Sequence, residues 1–255
     1  MRTLVMGILN VTPDSFSDGG QFETTDAAIR RAWRMLEEGA DVIDIGAEST
    51  RPGAPSVSEA EEWQRLQPIL NVLCQQRDVR VSVDTYKASV AARALDKGAW
   101  MINDVWGGRP PGDEGTDMLR VVAAAGCNYV WMHNRTAPVT TAPVEILLAE
   151  TAAGVARCLA ADIHAERLWI DPGVGFGKTY AHNLAVLKRL AEFTALGPRV
   201  LLGTSRKSVI GHTLGQAPDD RLEGSLATVA LGVWHGVAAV RVHDVLASVR
   251  TCRMV

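Results

Sequence analysis

A disulfide framework is the first thing this sequence lacks. Its four cysteines, Cys74, Cys127, Cys158 and Cys252, lie far apart and form no C-x-x-C pair. They fall in helical or strand contexts and read as buried, reduced thiols, which fits a reducing cytosol, so a cytoplasmic location is expected. An excess of charge is lacking too. The formal net charge is −3 and no basic stripe stands out, which leaves no electrostatic footprint for nucleic acid. Any anionic ligand must then be held by a few local cations. No membrane span is expected either: the apolar start from Met1 to Leu9 is short, is ended by Asn10 and has no small-residue cleavage site. It reads as a first strand. No composition shift and no low-complexity stretch divides the chain, so residues 1–255 are expected to form one domain.

Apolar residues, by contrast, make up 47% of the chain, ample material for a core. A loose unit recurs: helical stretch, glycine, short apolar run, polar tip. It is found around Gly39, Gly98, Gly126 and Gly236, each glycine suiting the left-handed residue that ends a helix. With the runs at 4–9, 79–83, 168–170 and 200–202 there are eight apolar runs, too continuous for half-exposed strands, so they read as buried parallel strands. The segments between them read as helices. Ile29, Ala32, Trp33 and Leu36 form one apolar stripe, and Ser58-Glu59-Ala60-Glu61 is a capping box opening a helix that Pro68 should kink. Eight strands alternating with helices in this length is the arithmetic of a (β/α)8 TIM barrel, an α/β fold, with a doubly wound open sheet as the alternative. The long loops are 11–24, 47–57 and 134–142.

In such a barrel the C-terminal strand ends face one mouth, where catalysis sits. Here they carry Asn10, then Glu48 to Arg51, Asp84, Asn103-Asp104, His133, Asp171, Ser205-Arg206-Lys207 and Arg241-Val242-His243. Turn chemistry alone would favour Gly, Ser and Asn over Lys, Arg and His. One cation, Lys207, facing several hydrogen-bonding groups suggests a small, flat, heteroatom-rich substrate. The Asp84 carboxylate can accept two parallel N–H bonds from an aminopyrimidine edge, or it caps the next helix. Asn103 can donate and accept, suiting a lactam edge, or it forms an Asx-turn. Asp171 is fixed outside a helix by Pro172 and is either a ligand or a turn residue. Lys207 can reach a ring carbonyl or nitrogen; as a plain helix-start lysine it would oppose the helix dipole. Arg241 and His243 alternate on the last strand and can bind phosphate, or the arginine pairs with an acid. Asn10 can be the sole protein ligand of a Mg2+ held mostly by substrate phosphates and water. The run from Gly173 to Thr179 resembles a phosphate loop but has Pro172 where that motif needs its first glycine.

These stretches together resemble a known family. Met6 to Gly20, Asp44 to Gly53, Ser82 to Lys87, Ile102 to Val105, Asp171 to Thr179, Ser205 to Lys207 and Arg241 to Asp244 are similar to the motifs of dihydropteroate synthases, in family order and over nearly the whole chain. The resemblance implies a transferase of folate synthesis that joins (7,8-dihydropterin-6-yl)methyl diphosphate to 4-aminobenzoate and releases pyrophosphate. It implies that Asp84, Asn103, Asp171 and Lys207 hold the pterin, Asn10 touches Mg2+, and Asn10, Arg241 and His243 meet the pyrophosphate. Phe16, Thr50, Arg51, Pro52, Phe176, Ser205 and Lys207 would border the aminobenzoate, where sulfonamides compete, and Asp18 and Arg51 would sit on closing loops. Asp18, Lys207, Arg241 and His243 are the implied catalytic groups. Asn134-Arg135-Thr136 and Ala47 depart from many members, in loops. A pterin-binding methyltransferase acting on a corrinoid and a non-catalytic pterin-binding paralogue are the alternatives. The stretch from Leu222 to Trp234, apolar on more than one face, suits a homodimer contact or close packing inside one subunit.

Overall fold

Eight short parallel strands close on themselves, each hydrogen-bonded to the next and β8 to β1. The structure is a computed structural model and describes residues 2–12, 21–49, 56–112, 116–139 and 143–255. In chain order the elements are β1 (Leu4–Asn10), α1 (Gln21–Glu37), β2 (Val42–Gly46), α2 (Glu59–Leu73), β3 (Val81–Asp84), α3 (Ala88–Asp96), β4 (Met101–Asp104), α4 (Thr116–Ala125), β5 (Asn128–Met132) and α5 (Pro143–Ala160). They continue with β6 (Leu168–Asp171), α6 (Tyr180–Lys188), α7 (Leu190–Thr194), β7 (Arg199–Leu202), α8 (Ser208–Leu214), α9 (Leu222–Trp234), β8 (Ala239–Val242) and α10 (Val245–Met254). The closed barrel is the TIM-type architecture, and the open-sheet alternative falls. Gly39 and Gly98 take φ of 101° and 97°, as the repeated unit requires, which an L side chain adopts only with strain.

Strand side chains alternate between the lumen and the surrounding helices. Met6, Val42, Met101, Val130, Trp169, Leu201 and Ala239 form a separate buried cluster that fills the lower lumen. Their strand neighbours, among them Val5, Ile43, Ile102, Ile170, Leu202 and Val240, join the larger core under the helices. Two residues further along, the lumen side turns polar: Asp44, Asn103, Asp171 and Arg241 follow Val42, Met101, Trp169 and Ala239 at that spacing. An apolar floor thus supports a polar layer at the C-terminal mouth.

Two local expectations change. The third strand begins at Val81, so Val79 stays outside it. Ser58 caps α2 by accepting from the Glu61 backbone at 3.2 Å, but the Glu61 side chain pairs with Arg65 instead of returning to Ser58, so only half of the capping box forms. Helix α2 runs unbroken from Glu59 to Leu73 through Pro68.

Candidate active site

Register sets the row of groups at the mouth. Asn10 lies beside Gly46, Gly46 beside Asp84, and Asp84 beside Asn103. At Gly46 a Cβ would lie 3.6 Å from Asp84 Oδ2 and 3.8 Å from Asn10 Oδ1, so the missing side chain keeps open the space those oxygens face. On the other side of the mouth a Cβ at Gly203 would lie 3.6 Å from Asp171 Oδ2, 3.7 Å from Lys207 Nζ and 3.8 Å from Arg241 Cβ. Asp171, Lys207 and Arg241 therefore converge on one point.

The Arg241 guanidinium is clasped by two acids. Its Nε donates to Asp44 Oδ2 at 2.6 Å and its Nη2 to Asp84 Oδ2 at 2.7 Å. Asp44 also accepts from Asn103 Nδ2 at 3.2 Å. Burial pushes the Asp84 carboxyl upward; Arg241 pulls it back, and Asp44 raises it further. Asp171 is raised by burial and lowered by Lys207, and its Oδ1 accepts from the Gly173 backbone at 2.7 Å.

Lys207 is the N-cap residue of α8, at the end of the turn after β7. Its Nζ donates to the Val174 carbonyl at 2.5 Å and lies 4.6 Å from the centroid of the Phe176 ring, a cation–π contact. Desolvation lowers this ammonium to about 8, with Asp171 opposing the fall. Between Ser205 and Lys207, Arg206 takes a left-handed φ of 58° and turns away to bond Asp244 at 2.6 and 3.1 Å. Ser205 Oγ accepts from the His243 backbone at 3.2 Å and lies 3.0 Å from His243 Nδ1, which ties the β7 tip to the β8 tip.

A family profile described as "Pterin binding enzyme" matches residues 6–243. The dihydropteroate synthase of Bacillus subtilis is 46% identical over 253 residues, spanning 99% of this chain and 87% of that protein. The chain belongs to the dihydropteroate synthase family. Among solved structures, the Clostridium difficile dihydropteroate synthase in the presence of pteroic acid superposes with a TM-score of 0.94 at 45% identity, covering 99% of this chain and 95% of that one. The Xanthomonas albilineans dihydropteroate synthase with 4-aminobenzoic acid gives 0.93 at 43%, covering 99% and 92%.

Of the residues singled out for a dihydropteroate synthase site, Asn10, Asp84, Asn103, Asp171, Phe176, Ser205, Lys207, Arg241 and His243 come together at the mouth. Phe16, Asp18, Thr50, Arg51 and Pro52 lie outside the described residues. Asp104, grouped with Asn103 in the sequence, points the other way: it accepts from Tyr129 Oη at 2.8 Å and from the Trp106 and Gly108 backbones at 2.9 and 2.6 Å. Its carboxyl is pushed up to about 6 by burial. His243 lies one residue past the strand that carries Arg241.

Sequence reasoning passed over three groups. Asp44 is fully buried in the lumen; an acid two residues before a strand tip, in an otherwise apolar run, was its signal. Lys178 Nζ lies 3.0 Å from His133 Nδ1 and 3.0 Å from the Phe176 carbonyl, locking the β6–α6 loop to the end of β5. Desolvation lowers Lys178 to about 7 and His133, which lies 2.7 Å from Glu150, to about 4. Lys87 bridges Glu48 and Glu62, both nearly buried, and Tyr86 donates to Glu48 at 3.0 Å. A cavity of about 500 Å3 lined by Arg77, Arg80, Trp100 and Arg167 opens at the other end of the barrel, the face that TIM barrels reserve for stability.

Proposed function

We propose that the protein, acting as one domain over residues 1–255, joins (7,8-dihydropterin-6-yl)methyl diphosphate to 4-aminobenzoate and releases pyrophosphate. The observation that carries this reading is the convergence of Asp84, Asn103, Asp171 and Lys207 on one mouth in a chain of this family. Asp84 takes the aminopyrimidine edge, Asn103 the lactam edge, Asp171 a further ring N–H, and Lys207 a ring acceptor. Lys207 stands over Phe176, so pterin and aminobenzoate meet at that residue. Phe176 and Ser205, with Phe16, Thr50, Arg51 and Pro52 from the long loops, border the aminobenzoate and hence sulfonamides.

Departure of the diphosphate leaves positive charge on the pterin methylene, so electrostatic stabilisation is the main task. Arg241 and His243 bind the leaving phosphates, and stabilisation of the cation is assigned to Asp18. An arylamine is neutral at pH 7, so no strong general base is required. Asn10 Oδ1 faces the gap at Gly46, a hard neutral oxygen that fits Mg2+, an ion that takes few protein ligands beside water and phosphates. Asn10 would hold the ion, which when bound neutralises phosphate charge.

Among the described residues no helix is long and apolar enough to cross a membrane. The four free cysteines fit a reducing compartment, and a cytoplasmic location is part of this reading. Trp234, 80% exposed at the end of α9, and exposed Leu222, Leu246 and Met254 support a homodimer contact on α9 and α10. The test of function is incubation of purified protein with Mg2+, the pterin diphosphate and aminobenzoate. Dihydropteroate is expected; its absence with both substrates in excess contradicts the reading. A spectral change on cobalamin titration would favour the corrinoid methyltransferase instead.

A further inference from the structure

Arg241 shares Asp84 with the pterin in the function proposed above. Its Nη2 donates to Asp84 Oδ2 at 2.7 Å, an oxygen that an aminopyrimidine edge would also use, so a pterin competes with the guanidinium for that carboxylate's lone pairs and weakens the pair. A cation this enclosed needs a second, undisturbed partner. Asp44 supplies it. It sits on β2 two residues below the tip, beyond reach of solvent, and grips a different nitrogen, Nε, at 2.6 Å. Among the described residues its other oxygen, Oδ1, accepts no hydrogen bond. The Asp44 charge is therefore met chiefly by Arg241.

The same carboxylate sets the sense of the Asn103 amide. An amide oxygen turned toward Asp44 would face a negative charge, so the Nδ2 end must point there, as it does at 3.2 Å. The acceptor end of Asn103 is then left for a ligand N–H.

We propose that Asp44 is a positioning residue for this reaction: it holds Arg241 by Nε and so leaves the far end of the guanidinium to meet the substrate diphosphate. This rests on the function proposed above. Fully buried behind Arg241 and Asn103, Asp44 acts through them.

The test is a binding cycle with Asp44→Asn and Arg241→Gln, measured calorimetrically with dihydropterin methyl diphosphate and with the corresponding dihydropterin alcohol. Asp44→Asn keeps the shape and an oxygen that can still accept from Asn103 Nδ2, and removes the charge. It should weaken the diphosphate at least about tenfold and the alcohol no more than about threefold, and in the Arg241→Gln background it should cost less than about threefold, the non-additivity expected of residues acting through one another. Equal losses in both backgrounds, or equal losses for both ligands, would overturn the proposal. Should Asp44→Asn not fold, the Arg241 Nε–H resonance of the wild-type protein, assigned by its loss in Arg241→Lys, gives the same answer. It should stay protected from solvent exchange when the diphosphate ligand binds; its exposure would mean that Asp44 lets go. Binding of the diphosphate ligand without production of dihydropteroate would count against the catalytic reading alone, since none of these arms requires turnover.

Discussion

At the scale of single residues, Lys207 carries the sharpest expectations. It packs on Phe176 and faces Asp171, so Lys207→Ala should impair binding of both substrates and cut turnover about a hundred- to a thousandfold, in line with loss of one preorganised charge contact. Unchanged circular dichroism and melting temperature alongside that loss would show that the fold is intact; unchanged turnover would mean that the residue is misplaced. Desolvation brings its ammonium to about 8 from the ordinary 10.5. The folded protein thus gives up this proton before the unfolded chain does, so the group's contribution to stability grows between about 8 and 10.5. Function runs the opposite way, since a neutral amine cannot serve as the cation. The kcat/KM for the pterin diphosphate should fall on an alkaline limb near 8, and Lys207→Arg should remove that limb from the accessible range. A limb that persists in Lys207→Arg would assign it elsewhere, Lys178 being another lysine that desolvation lowers, to about 7. The gathering of polar groups at the strand tips was legible in the sequence because a cation or acid at the end of an apolar run has few bland explanations. Asp44 was not, because its partner Arg241 lies nearly the whole chain away and only barrel closure brings the two together.

At the scale of elements, buried ion pairs and glycines fix the loops that carry the site. Lys87, just ahead of α3, is clamped between Glu48 at the start of the β2–α2 loop and Glu62 in α2. Lys87→Met should destabilise the protein by about 3–5 kcal/mol, because it strands two nearly buried carboxylates, and denaturant unfolding should show it. Lys87→Met with unchanged stability would mean that those carboxylates reach water. Gly173 presents a second case. It takes φ of 68°, and a Cβ there would collide with the His133 carbonyl. Gly173→Ala should push the β6–α6 loop off β5, lower the melting temperature and raise KM for aminobenzoate through displaced Phe176; wild-type values for both would contradict this packing. Helix and strand existence followed from apolar runs and from repeated glycines. The half-formed capping box at Ser58 did not, because Arg65 one turn further on competes for Glu61.

At the scale of the molecule, the lumen is apolar below and ionic above, and this layering gives one end of the barrel its chemistry. The TIM architecture could be counted from eight apolar runs, whereas the lumen layers needed the register, which a single sequence does not print. Association is expected as well. Trp234→Glu together with Leu222→Glu should convert a dimer seen by light scattering into monomer with the barrel intact; a wild-type monomer would contradict the contact. The central claim is that the C-terminal mouth seats the pterin. A crystal structure with dihydropterin methyl diphosphate and 4-aminobenzoate bound tests it most directly. The ring edges are expected on Asp84, Asn103 and Asp171, Lys207 between the two ligands, and the diphosphate on Arg241 and His243. A pterin found instead in the arginine-lined cavity at the opposite end would contradict it.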